Sequence, residues 1–225
     1  MAVLGGMRVK VVLITGLEKI FDMRLADVFS RDGCKVYAMG KEKIEGVTLL
    51  PQDLKEAVDA IQKESGHIDI YIDVSDERSL ADTFNVRSGI NDKVMRDLYD
   101  ANVIRPMAML EAFLPLIEAG EVKRLCFLTS AEASINETRS IDGFGYKMAK
   151  AGLHNFLQIT RNVLAPKGYT MRAFDPMHRE ASPQAAANAA LNYFTRNRGV
   201  EGGDPLRDDE GNLVFRDAEG RQHTW

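Results

Sequence analysis

The sequence predicts one α/β domain over residues 1–225, built on a doubly wound parallel sheet of about seven strands. Two observations carry that expectation. Apolar runs of strand length alternate with segments of helical period almost to the end of the chain. No internal repeat or linker interrupts them, and 225 residues with 45% hydrophobic side chains can bury one sizeable core.

The elements follow in order. A first strand is expected at Val9–Thr15, then a helix carrying Leu25, Val28 and Phe29 that Gly33 stops. Strands at Lys35–Met39 and Val47–Leu50 come next, and the about seven residues between them leave no room for a full helix. After a strand at Ile68–Val74, one long helix is expected over Asp92–Glu118, with Val94, Leu98, Val103 and Met107 among its apolar positions. The strand Arg124–Thr129 leads to a second long helix, Tyr146–Leu164, carrying Leu153, Phe156, Leu157 and Ile159. The strand Tyr169–Phe174 precedes Pro176-Met177 and a short connection, His178–Ala181. Ser182 and Pro183 then read as N-cap and first residue of a helix. A polar loop over residues 202–209 precedes a last strand, Leu213–Arg216.

Composition excludes several classes. The net charge of -4 argues against a nucleic-acid partner, and runs such as Val11–Ile14 are too short to span a bilayer. Residues 1–8 show neither a signal-peptide core nor a lipidation pattern. Cys34 and Cys126 fall in expected strands and read as free thiols of a reducing cytoplasm. His67, His154, His178 and His223 lack ligand spacing, so no metal is expected.

The chemistry concentrates in four residues. Tyr146 and Lys150 stand one helical turn apart, Ser130 closes a strand sixteen residues before Tyr146, and Asn102 lies in the first long helix. Carbonyl reduction needs a proton donor for the developing alkoxide, and a tyrosine of ordinary pKa near 10 is a poor one. A lysine ammonium beside it lowers that pKa. Ser130 is expected to hold the substrate oxygen and Asn102 to support a water chain to Lys150. A bare Tyr-x-x-x-Lys also occurs on ordinary helix surfaces; its place after a strand ending in serine gives it weight.

These residues resemble the short-chain dehydrogenase/reductase family, over nearly the whole chain. The matching positions are Thr15-Gly16 in the first turn, Asp53-Leu54 after the third strand, Asn102-Val103, Ser130, Tyr146 and Lys150. More narrowly the chain is similar to the C-factor branch, which includes sniffer-like carbonyl reductases. Ala133-Ser134-Ile135, the run Ala149–His154 and the terminal Trp225 stand where that branch has its own signatures. The resemblance implies a Rossmann-type fold, an NAD(P)-dependent oxidoreductase acting on a small carbonyl or alcohol, and cofactor contacts from Gly16, Lys19, Ile20, Phe21, Lys41, Asp53, Leu54, Asp73, Val74 and Pro176. The family's glycine turn would put glycines at 20 and 22, where this chain has Ile20 and Asp22. A carboxylate there repels phosphates unless it turns away, or it serves as a helix N-cap. After the fourth strand, Asp73-Val74-Ser75-Asp76 adds negative charge along the expected groove. The short connection after the sixth strand leaves the site open unless a second subunit or the 77–91 segment covers it.

No acid ends the second strand, and Lys41 and Lys19 flank the groove, so NADP(H) is expected in preference to NAD(H). The alternative is a descendant without normal cofactor binding, acting as an oligomeric scaffold or regulatory subunit, or a non-redox enzyme using Tyr146 and Lys150. A homodimer or homotetramer built on the two long helices is expected.

Overall fold

A computed structural model describes residues 8–176, 182–195 and 213–225. Seven parallel strands form one sheet: β1 (Val11–Leu17), β2 (Lys35–Gly40), β3 (Val47–Leu49), β4 (Ile70–Asp73), β5 (Arg124–Leu128), β6 (Thr170–Asp175) and β7 (Val214–Asp217). Their order is β3-β2-β1-β4-β5-β6-β7. Each lies within about two residues of its sequence-based position, because buried strands of a doubly covered sheet read as apolar runs. Met177, the expected connection His178–Ala181 and the loop at 202–209 lie outside the described residues.

Side chains alternate between two cores, as the period-two geometry of a strand demands. Val11 and Leu13 of β1 and Leu125 and Phe127 of β5 face one core, which α2 (Leu54–Glu64), α4 (Arg105–Glu118) and α5 (Phe144–Leu164) cover. Val12, Ile14, Cys126 and Leu128 face the other, covered by α1 (Ile20–Arg31) and α6 (Pro183–Thr195). Phe127 sits fully buried between Tyr71 and Phe156, with ring centroids 5.8 and 6.2 Å away. Burial of such a side chain stabilises by about 1.5–3 kcal/mol.

The expected single helix over Asp92–Glu118 needs a correction. It runs as α3 (Asp92–Tyr99), one π turn (Asp100–Ile104) and then α4. The π turn buries Ala101, Asn102 and Val103 together. Met107, expected on the apolar face, is exposed, and Pro106 and Leu110 are buried instead. Cys34 precedes β2 and is half-buried, whereas Cys126 is buried in β5; neither forms a disulfide. No helix among the described residues is long and apolar enough to cross a membrane, and none of their His, Cys, Asp and Glu groups could hold a metal.

Candidate active site

Strand order reverses between β1 and β4, which opens a crevice at the carboxyl ends of the sheet. A cavity of about 170 Å³ lies there, lined by Gly16, Lys19, Lys41, Asp73 and Val74 among the residues named from sequence. Gln52, Asp76, Arg105 and Met109 line it too. Ile20, Phe21, Asp53, Leu54 and Pro176 do not, each for a local reason. Ile20 points to solvent, 62% exposed. Phe21 packs on the core beneath α1. Asp53 caps α2, its Oδ1 accepting from Glu56 N at 2.9 Å. Leu54 packs on the opposite core, and Pro176 follows β6, half-buried. Gly16, at φ +81°, brings the turn so close to Ser75 that a Cβ would stand 2.6 Å from the Ser75 Oγ.

Asp22 neither faces the crevice as a free charge nor is the N-cap residue. It occupies the first turn of α1, 2% exposed, and its Oδ2 accepts from Glu18 N at 2.9 Å and Lys19 N at 2.7 Å. Burial pushes its carboxyl up to about 6, despite those two bonds and the Lys19 charge. The N–H groups that a glycine turn offers to a pyrophosphate are thus held by the chain's own carboxylate.

At the other end, Tyr146 enters on the first turn of α5. Gly143 begins that helix at φ +71°, and the Asp82 carboxylate accepts from Gly145 N and Tyr146 N at 3.0 and 2.8 Å. Ser130 stands just past β5, and its Oγ accepts from Glu132 N at 3.2 Å. Lys150 is fully buried one turn beyond Tyr146. The fold therefore brings Ser130, Tyr146 and Lys150 together, and the Ser130 hydroxyl favours the ionised phenol.

Each of these side chains has definite partners within the chain. Tyr146 donates to Asp76 Oδ1 at 2.5 Å and accepts from Arg78 at 2.9 Å, while the Arg78 guanidinium lies 3.9 Å over its ring. Burial, and then the Asp76 charge, raise the phenol well above its ordinary pKa, with Arg78 opposing. The Lys150 ammonium, 5.9 Å from the Tyr146 ring centroid, donates to Ser75 O at 2.6 Å and pairs with Asp76 Oδ1 at 3.5 Å. Burial depresses Lys150 itself. The Asn102 amide grips the Glu77 backbone in both directions, accepting from N at 3.1 Å and donating to O at 2.9 Å, and it also donates to Leu98 O at 2.9 Å. The 77–91 segment does cover the site, through Arg78, Asp82 and the Phe84–Phe144 edge contact at 6.3 Å. Arg78 escaped the sequence reading, since nothing in local spacing ties it to a tyrosine 68 residues away.

Solved structures share this architecture over most of this chain's length, and two illustrate it. The carbonyl reductase Sniffer of D. melanogaster superposes with a TM-score of 0.78 at 12% identity, covering 97% of this chain and 100% of that one. A carbonyl reductase from Pseudomonas aeruginosa in complex with NADP gives 0.75 at 19%, covering 96% and 100%. The chain has the short-chain dehydrogenase/reductase fold. In sequence it is 28% identical over 138 residues to an uncharacterized oxidoreductase of Schizosaccharomyces pombe, covering 61% of this chain and 53% of that protein. The chain spans about half the length of the curated relatives it matches. No family model matches it.

The residues of this short-chain dehydrogenase/reductase fold suit a dinucleotide at one end of the crevice and not at the other. Lys41 offers a charge beside the apolar Met39 and Met109, a lining that suits a phosphorylated adenosine, while Gln52 donates to Gly40 O at 3.1 Å and Arg105 pairs with Asp100 at 3.0 Å. At the other end Asp22 and Asp76 take the donors, and the whole crevice, at about 170 Å³, is below the about 300–1,000 Å³ of small-molecule sites.

Proposed function

We propose that this chain is an oxidoreductase that interconverts a carbonyl and an alcohol by hydride transfer, with NADP(H) preferred over NAD(H). The observation that carries the reading is the convergence of Ser130, Tyr146 and Lys150 beside a switch-point crevice. In this reading Tyr146 delivers the proton to the developing alkoxide and Ser130 orients the carbonyl oxygen. Lys150 biases the phenol once Asp76 no longer claims it. Asn102 positions the wall of the site through Glu77. The oxidoreductase label of the fission yeast relative and the NADP in the Pseudomonas structure support the same direction. Lys41 at the end of β2, with no acid there, supports the 2′-phosphate form.

A homodimer or homotetramer packed on α4 and α5 belongs to the same proposal. Met107, Ile159 and Val163 are 39, 59 and 59% exposed along a groove of about 760 Å³ between these helices.

A second reading, a scaffold without normal cofactor binding, is favoured by Asp22 and Asp76 standing in the dinucleotide's place. One experiment separates them: titrate NADPH and NADH by nicotinamide fluorescence, then assay a panel of aldehydes and ketones. The oxidoreductase reading expects NADPH binding, and turnover that Tyr146→Phe lowers by about 100-fold or more without loss of binding. Absence of binding by both nucleotides at millimolar concentration sinks it in favour of the scaffold.

A further inference from the structure

We propose that Lys19, Arg78, Tyr146 and Lys150 form an oxyanion-binding site that the chain fills with its own Asp76 carboxylate, and that an external ligand enters by exchanging a carboxylate or phosphate oxygen for it. Asp76 Oδ1 lies 2.5 Å from the Tyr146 hydroxyl and 3.5 Å from Lys150 Nζ. Oδ2 lies 2.6 Å from Lys19 Nζ and 3.7 Å from Arg78 Nε. Two oxygens thus meet three cationic groups and one hydroxyl, which is the donor set a free oxyanion requires. Lys150 is fully buried and Tyr146 only 4% exposed, so the inner donors cannot turn to solvent if Asp76 leaves.

Charge makes the exchange selective. Glu132 pairs with Arg78 from the outer side at 2.9 Å, and Asp73 lies behind Lys150, its carboxyl raised by burial. Removal of Asp76 therefore leaves Lys19, Arg78 and Lys150 facing too little negative charge, and an anion is drawn in. Asn102 fixes the Glu77 peptide and Asp73 accepts from Ser75 N at 3.0 Å, so the backbone that delivers Asp76 is held on both sides. The exchanging element is then the side chain rather than the whole segment.

The test uses Asp76→Ala with sodium acetate, inorganic phosphate and NADPH as probes, at constant ionic strength with chloride as reference. Acetate or phosphate at tens of millimolar, as an order of magnitude, should raise the melting temperature of the variant, and raise that of the parent less, because there the anion must displace Asp76. NADPH should bind the variant about tenfold more tightly than the parent. A response to acetate alone identifies a carboxylate substrate as the source of the oxyanion, and a response to phosphate and NADPH identifies the dinucleotide. Should the variant fail to fold, Asp76→Asn keeps the shape, drops the charge and should tighten NADPH in the same direction. The inference is overturned if acetate and phosphate stabilise the variant no more than chloride does. The nucleotide arm rests on the oxidoreductase reading and the acetate arm does not: an acetate response with no nucleotide binding retains the oxyanion site and removes the redox function.

Discussion

The two ends of the crevice are built on opposite principles. Around Lys41 and Gln52 the side chains stand in solvent, and the Lys41 charge faces the crevice, as in a site that waits for a ligand. At the other end the donors are already engaged, the first-turn amides by Asp22 and the Tyr146 phenol by Asp76. Both ends lie at the carboxyl edge of the same parallel sheet, so the fold does not dictate the difference. The segments that leave β1 and β4 dictate it, by placing the Asp22 and Asp76 carboxylates there.

The sharpest way to break this comparison is to remove one lysine from each end. Lys150→Met should cost about 3 kcal/mol, because it strips a buried ammonium from Asp76 while Lys19 and Arg78 remain. For a chain of this size that is a fall of roughly 6–12 °C in melting temperature. Lys41→Met should leave the melting temperature unchanged and weaken NADPH relative to NADH. Equal thermal effects would mean that the two ends are not differently built.

Asp22 sharpens the comparison through pH. Its folded carboxyl, at about 6, lies above the ordinary 3.8, so the folded chain holds this proton more tightly than the unfolded one. The resulting stabilisation is present below about 4, is lost as pH rises through about 6, and amounts to about 2–3 kcal/mol. Asp22→Asn keeps an acceptor for Glu18 and Lys19 without the buried charge. Its stability should match the parent near pH 4 and exceed it near pH 8, as chemical denaturation will show. A parallel pair of pH profiles would refute the assignment.

The smallest effect is expected away from the crevice, near the last described residues. His223 lies between Glu137 at 2.9 Å and Asp217 at 3.0 Å, which together hold its pKa above the ordinary value against burial. Its contribution is present below about 6.5 and lost as pH rises through the folded pKa. His223→Gln should therefore cost about 1 kcal/mol or less near pH 6 and less still at pH 9. A constant cost across that range would show that shape rather than charge holds this contact.

The strands and the residues on regular elements were legible in the sequence because burial writes itself as periodicity. Tyr146, Lys150 and Ser130 follow from a helical turn and a strand end. Asn102 was legible in position, but its partner was not, since Glu77 lies in a segment without period. Arg78 was illegible for the same reason. Around α2 the expected contact slipped by one residue: Asp53 is drawn into capping the helix, and Gln52 takes the place beside the crevice, donating to Gly40 O at 3.1 Å. Asp76 was visible as charge along the groove, and only the fold showed what that charge sits on.

The π turn at Asp100–Ile104 changes the phase of one continuous helix. Each residue of an α-helix turns about 100°, so one extra residue in a turn swings everything beyond it by that angle. The apolar positions Leu98 and Val103 are five apart, a step that an unbroken α-helix would point in different directions. With the wide turn, α3 can lie along α5 while α4 serves α2. Deleting a single residue there would not shorten the helix so much as rotate one half against the other, uncoupling the wall that Asn102 holds from the helix that carries Tyr146.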